Sequence, residues 1–417
     1  MTGKDKLQLA LAHKEGPIPL DIGATAVTGM HCTVVQAMRE YFELENRPVK
    51  VHDPYQMLGL IEDDLMDVLG IDVIGIIPRN TMFGFPIEAW KEWNTPWNQT
   101  VLVPGGFTVD QNGKGVYIYP QGDVHAPPSG HMPWGSWYFD AVIRQPSINE
   151  DELDPRDNLE EYTDVSNEEL AYYRRACEQA EKRGKGIVIN IGWTSLGDIS
   201  QIPGPALKHP KGIRDITEWY ISTVTRQDYI HEMFVRQTET ALRNLKKLHA
   251  SVGNIPDAVY VCGTDFGTQV SQFCSRETFE NLYAPYYRTI NRWIHEHTSW
   301  KTFKHSCGAI FPLLDSLIAA GFDILNPVQC SAEGMDPELL KDTYGKDLVF
   351  WGGAADTQQT LPFGTLDEVR TETKKRLEIF SRDGGYVFNT VHNVQAGTPV
   401  ENLSAMLDEL RKFNEGR

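Results

Sequence analysis

The chain has 417 residues, of which 41% are hydrophobic and 23% charged, the proportions of an ordinary soluble globular protein. A formal charge of −18 would repel phosphate backbones, so no nucleic-acid partner is expected. No apolar run reaches the ~18 residues needed to cross a bilayer. The opening "MTGKDKLQLALAHKEGPIPL" has no export-signal pattern, so a cytoplasmic location with no membrane partner is expected. The six cysteines are scattered, form no CxxC pair, and read as reduced thiols.

No unit of 20–50 residues repeats, which excludes a solenoid. Instead, short apolar runs end in polar, Gly-rich clusters, and most are separated by helical patterns. In chain order these runs are "PIPLDIGATAVTG" (17–29), "GIDVIGIIPRN" (70–80, after a helical "YQMLGLIEDDLMDVL") and "GIVINIGWTSLGD" (186–198). A long amphipathic region follows, from about Ile213 to His249. Then come "DAVYVCGTDFGTQ" (257–269), "WKTFKHSCG" (300–308), "FDILNPVQC" (322–330), "DLVFWGGAADTQ" (347–358) and "GGYVFNTVHNVQ" (384–395).

Eight strand candidates alternating with helices imply a parallel sheet with right-handed crossovers, closed as a (β/α)8 TIM barrel. One such domain over residues 1–417 accounts for the length. Chemistry in such barrels sits in the loops after the strand C-terminal ends. The polar clusters fall there: Asp21, Asp265 with Gln269, His305 with Cys307, Gln329 with Cys330, Asp356, and His392 with Gln395.

Residues from about 81 to 150 break this rhythm. "DQNGKG" reads as a turn between the β-rich runs "TVLVPGGFTV" and "VYIYPQ", so a hairpin-bearing insertion is expected. Its five tryptophans, Trp90, Trp93, Trp97, Trp134 and Trp137, could line a pocket for a flat substrate. The plainer expectation is that they pack the insertion onto the barrel.

The stretch "KTFKHSCGAIF" (301–311) places a histidine and a cysteine two positions apart at a strand end. Residues two apart on a strand share a side, so His305 and Cys307 can face one ion, with Gly308 turning the chain away. Zinc needs three or four ligands, and a catalytic site keeps one position open. A third ligand must come from another strand end, with His392, Cys330, Gln329 and Asp356 as candidates. The alternative is that Cys307 is merely a small buried hydrophobe.

The stretches "GTDFGTQ", "HSCGAIFPLLDSLIAAGFDILNPVQ", "WGGAADTQQTLPFGTLDEV" and "GGYVFNTVHNVQAGTPVENL" resemble the uroporphyrinogen decarboxylase superfamily, and more closely its cobalamin-linked methyltransferase branch. "PIPLDIGATAVTGMH", "DPYQMLGLIEDDLMDVLGIDVIG" and "MPWGSWYFDAVIRQ" are similar to larger members of that branch. The resemblance implies a barrel in which zinc is held by His305 and Cys307 of the H-x-C motif plus a residue after the final strand. Where methylcobalamin:coenzyme M methyltransferases place a cysteine, this chain has His392, with Cys330 as the backup ligand. The superfamily's decarboxylases carry an Arg-Gln-Ala-Gly-Arg stretch for their substrate's carboxylates, and this chain has "DIGATAVTGMHC" there.

The implied activity is zinc-dependent transfer of a methyl group from a small donor, such as a methoxylated aromatic in an O-demethylase reaction, to a corrinoid protein. A decarboxylase-type lyase and a methylcorrinoid:thiol methyltransferase are the alternatives. Asp265 and Asp356 are the expected catalytic carboxylates. Asp21, Trp193, Gln269, Gln329 and Gln395 are the expected substrate contacts. No D-x-H-x-x-G stretch marks a cobalamin-carrying module, so cobalamin would arrive only on a partner corrinoid protein. A homodimer stays open.

Overall fold

The computed structural model describes residues 1–416. Seven parallel strands form one curled sheet in chain order: β1 (Val73–Ile76), β2 (Gly186–Asn190), β3 (Ala258–Cys262), β4 (Lys301–His305), β5 (Ile324–Asn326), β6 (Val349–Trp351) and β7 (Tyr386–Val387). Each pairs in parallel with its sequence neighbour. The eighth stave is the segment around Leu20, the first of the expected strands, shortened here to a single bridge. Leu20 pairs in parallel with Phe388. Phe388 N donates to Pro19 O (2.9 Å), Asp21 N to Phe388 O (3.0 Å), and Asp72 N, beside β1, to Leu20 O (2.8 Å). These bonds close a (β/α)8 TIM barrel.

Parallel strands covered on both faces read as continuous apolar runs. One face fills the barrel, with Val73, Val188, Ala258, Phe303, Ile324, Val349, Trp351 and Val387 packed together. The helix Gly3–Leu11 adds Leu7, Ala10 and Leu11 to that cluster and plugs the end where the strands begin. Lys4 N donates to Gly184 O just ahead of β2, and Lys6 pairs with Asp72 at 3.0 Å. The barrel is therefore a packed core with access only where the strands end.

The outward face meets a ring of helices. In Gln227–Val252 the buried residues Ile230, Met233, Phe234, Ala241, Leu245, Leu248 and Val252 recur at helical spacing, giving one apolar stripe toward the sheet. The amphipathic region is two helices, because the backbone breaks at Arg226 between Ile216–Thr225 and Gln227–Val252. The expected helix over "YQMLGLIEDDLMDVL" covers only Asp63–Leu69. Its first half instead turns and pairs Leu58–Gly59 against Val49–Asp53.

Residues 81–150 carry two small sheets. Lys91–Asn94 and Thr100–Val103 form a hairpin whose second strand lies parallel to Val49–Asp53. Val109–Asn112 turns at Gly113 and Lys114 into Gly115–Ile118, which continues to Gly130–Pro133 and Asp140–Ala141. The run 100–103 thus belongs to a different sheet from the hairpin expected around "DQNGKG". Among the described residues no helix is long and apolar enough to cross a membrane.

Candidate metal centre and adjoining cavities

His305 is the last residue of β4, and Cys307 follows it into the barrel mouth. The chain leaves through Gly308, whose φ of +88° favours glycine. A Cβ there would also lie 2.4 Å from Gly267 C and 2.5 Å from Thr268 O. Gly308 N donates to Gln329 Oε1 (2.7 Å), which pins this turn to the loop after β5. Cys307 Sγ consequently stands 3.4 Å from His305 Nε2.

His392 comes from the loop after β7, and its ring meets that of His305 at 5.4 Å between centroids and 73° between planes. One ligand atom from each of His305, Cys307 and His392 lies within 4.8 Å of the others, so the three could hold a metal ion together. Asn326 Oδ1 contacts His305 Nδ1 at 2.6 Å, and Asp265 Oδ1 accepts the Cys307 N–H at 2.7 Å. Asp265 Oδ1 is also 3.8 Å from His305 Nε2.

Burial drives the protonation states. It pulls His305 down to about 3 and His392 down to about 4, so both rings are neutral bases at pH 7. Burial, reinforced by the Asp265 carboxylate, pushes the Cys307 thiol upward. Burial raises Asp265 as well. Two neutral imidazoles and one ionisable thiol form a donor set suited to zinc.

Two cavities flank the triad. The larger, about 390 Å³, is lined by His305, His392 and Asp265, by Asp198, Asp53, His52 and Tyr260, and by apolar side chains such as Ile77, Met82, Ile191 and Ile199. The smaller, about 240 Å³, is lined by Cys307, His392, Gln269, Gln329, Asp356 and Gln358. His392 borders both.

Several expected roles find no support in this geometry. Asp21 is fully buried and lines neither cavity: its Oδ2 accepts Trp351 Nε1–H (2.8 Å) and its Oδ1 accepts Ala24 N–H (2.9 Å). It ties the eighth stave to β6. Trp193 packs edge-on against Tyr173 at 6.2 Å, away from both cavities. Gln395 is exposed and reaches only Asn393 O (3.3 Å). Cys330 packs against the core, and its charged neighbours are Arg376, Glu372, Asp336 and Asp356. It lies outside the triad and lines neither cavity.

Asp356 lines the smaller cavity, yet its Oδ1 is engaged by the N–H groups of Gln358 (2.6 Å) and Gln359 (3.1 Å). Gln269 reaches Gln358 across the same cavity (2.7 Å). The insertion's tryptophans follow the plainer expectation only in part, since Trp134 and Trp137 are exposed. Trp93 meets Phe107 at 4.9 Å, Trp97 meets Trp137 at 5.0 Å, and none of the five lines a cavity. What this region gives the larger cavity is Thr81, Met82 and Ile87.

Sequence reasoning missed Asp198, His52 and Tyr260. Asp198 ends the "GIVINIGWTSLGD" run, where the strand-end rule could have found it. His52 precedes β1 in a small outer sheet, and no barrel rule points to it.

Residues 207–413 match the family model described as Uroporphyrinogen decarboxylase (URO-D). The C-terminal half of the chain belongs to the uroporphyrinogen decarboxylase family. All three triad residues lie inside that URO-D stretch. Among solved structures, a methyltransferase from Methanosarcina mazei matches over 99% of each chain with a TM-score of 0.55 and 13% identity, a likeness of fold. A D-psicose 3-epimerase (TM-score 0.31, 11% identity, 58% of this chain and 81% of that one) also matches. So does a β-glucosidase from Pyrococcus furiosus (TM-score 0.35, 11% identity, 83% and 82%). No curated protein matches significantly.

Proposed function

We propose that this protein is a zinc-dependent methyltransferase, moving a methyl group from a small donor in the larger cavity to the corrinoid of a separate protein. The observation that carries this reading is the His305, Cys307 and His392 cluster at the open end of the barrel, beside that cavity. The full-length likeness of fold to a methyltransferase supports it. The cavity also speaks against the decarboxylase alternative. At about 390 Å³ it is small for a tetrapyrrole, and among the described residues no lysine or arginine lines it to receive carboxylates.

When bound, zinc would supply Lewis acidity at the departing atom of the donor, or hold a thiol as thiolate if methyl flows the other way. The protein's own residues prepare for this. Asn326 orients His305, so that Nε2 offers its lone pair toward Cys307 and Asp265. Cys307 must give up its proton to serve as a ligand. Asp265 holds the Cys307 backbone and lines the larger cavity beside the ligands, within reach to pass a proton to a departing oxygen. The methoxylated-aromatic donor loses its main support, because none of the insertion's tryptophans lines the larger cavity.

The test is reconstitution. Purified protein is assayed for metal, then mixed with a reduced corrinoid protein and candidate donors while the methylcorrinoid absorbance is followed. About one zinc per chain and methyl transfer that Cys307→Ser abolishes together are expected. Zinc-free protein that still transfers methyl would overturn the mechanism.

A further inference from the structure

The larger cavity combines apolar walls with an uneven charge pattern. Asp53, Asp198 and Asp265 line it, with no lysine or arginine. Asp53 is engaged by Tyr55 N, Gln56 N and Gln56 Nε2, and caps its own turn. Asp265 gives one oxygen to Cys307 N. Asp198 differs. Its Oδ1 takes both bonds from Ser200, to N (3.0 Å) and Oγ (2.7 Å), and its Oδ2 has no protein partner although the residue is only 7% exposed.

That free oxygen sits at a crowded point. A Cβ on Gly263 would lie 3.0 Å from Asp198 Oδ2 and 2.6 Å from the Tyr260 hydroxyl. Glycine there lets the two groups converge on the cavity floor. The Tyr260 hydroxyl has no protein hydrogen bond. His52, 8% exposed and also lining the cavity, has none on its ring. These three polar groups have no protein partner and face one cavity, so a ligand held there would pair them.

The sign of the charge narrows the ligand. Apart from an ion on the triad, whose charge would fall on Asp265, the cation nearby is Lys304, which is fully buried, bonded to the carbonyls of Thr264 (2.5 Å) and His305, and set 5.0 Å from the Phe266 ring centre. It stands behind the wall and cannot reach into the cavity. His52, which also lines it away from the triad, is held neutral at pH 7 by burial.

The geometry points to a small organic cation of the ammonium type as the ligand of this cavity, its charge set against Asp198 and its alkyl body against the isoleucine wall. This rests on the reading that the cavity beside the triad receives the substrate. Tyr260 adds a hydroxyl dipole beside the carboxylates, and its ring edges the same floor.

Choline and its neutral carbon isostere, 3,3-dimethylbutan-1-ol, separate charge from shape. Calorimetric titration of each into zinc-loaded protein, and into protein dialysed against chelator, is expected to show choline binding about tenfold tighter or more. Asp198→Asn keeps the Oδ1 bonds to Ser200 while removing the charge, and should erase that preference without weakening the alcohol. Equal binding of the two, tighter binding of the alcohol, or no choline binding would each overturn the inference. So would an unchanged preference in folded Asp198→Asn. Because the preference is read in metal-free protein too, its failure leaves the zinc and methyl-transfer measurements standing, and theirs leaves it intact.

Discussion

Asn326 Oδ1 lies 2.6 Å from His305 Nδ1, while Nδ2 of the same amide donates to Trp351 O at 2.9 Å. The second bond fixes which end of the amide faces the ring. An amide oxygen only accepts, so Nδ1 carries the proton and Nε2 keeps its lone pair for an ion. Three neighbouring strand ends, those of β4, β5 and β6, thereby set one tautomer. Replacing Asn326 by Leu frees the ring. Zinc affinity should fall on the order of 10- to 100-fold, measured by competition with a chromophoric chelator. An unchanged affinity would mean that the tautomer does not matter.

The ligand set can be separated variant by variant. Cys307→Ser and His392→Ala should each lower zinc affinity more than the ~10- to 100-fold seen for an outer partner. Cys330→Ser should leave one zinc per chain, since that thiol packs against the core outside the triad. Elemental analysis of the three purified variants decides. Metal lost with Cys330 and kept without His392 would refute the assignment.

Proton release offers a second count. His305 and His392 are already neutral well above their depressed values of about 3 and 4, while the Cys307 thiol is held protonated. Binding zinc at pH 7 should therefore release one proton per ion, and affinity should rise with pH by about tenfold per unit. Calorimetry in buffers of different ionisation enthalpy measures the number. Two protons would require a further source, a second thiol among the ligands or an ionising zinc-bound water.

The bond between Trp351 and Asp21 should matter for stability and not for metal. Burial raises Asp21 to about 6 even with the Trp351 and Ala24 donors holding it down. A carboxyl raised in the fold favours folding most below its unfolded value of roughly 3.9, and that contribution is lost as pH rises through about 6. Above pH 6 the buried carboxylate depends on its donors. Trp351→Phe should thus destabilise the protein by about 1–3 kcal/mol more at pH 8 than at pH 5, with zinc content unchanged. Urea unfolding at the two pH values tests this, and a pH-independent loss would show that only ring packing was at stake.

The alternation of apolar runs with amphipathic helices was enough to read the barrel. Seven runs became strands and the eighth closed the ring through Leu20, because hydrophobic periodicity and parallel-strand burial are local properties of the chain. His305 and Cys307 were legible for the same reason: two positions on one strand must share a face. Asp21, Trp193 and Gln395 also sit at strand ends, yet face the barrel wall, the helix layer or solvent. A strand-end position gives the height of a residue in the barrel, and not the direction of its side chain. Only the tertiary structure decided that His392 completes the triad while Cys330 turns away, and that Asp198, Tyr260 and His52 meet around one cavity. Those groups come from strands and loops separated by up to hundreds of residues, and the packing that brings them together leaves no period in the sequence.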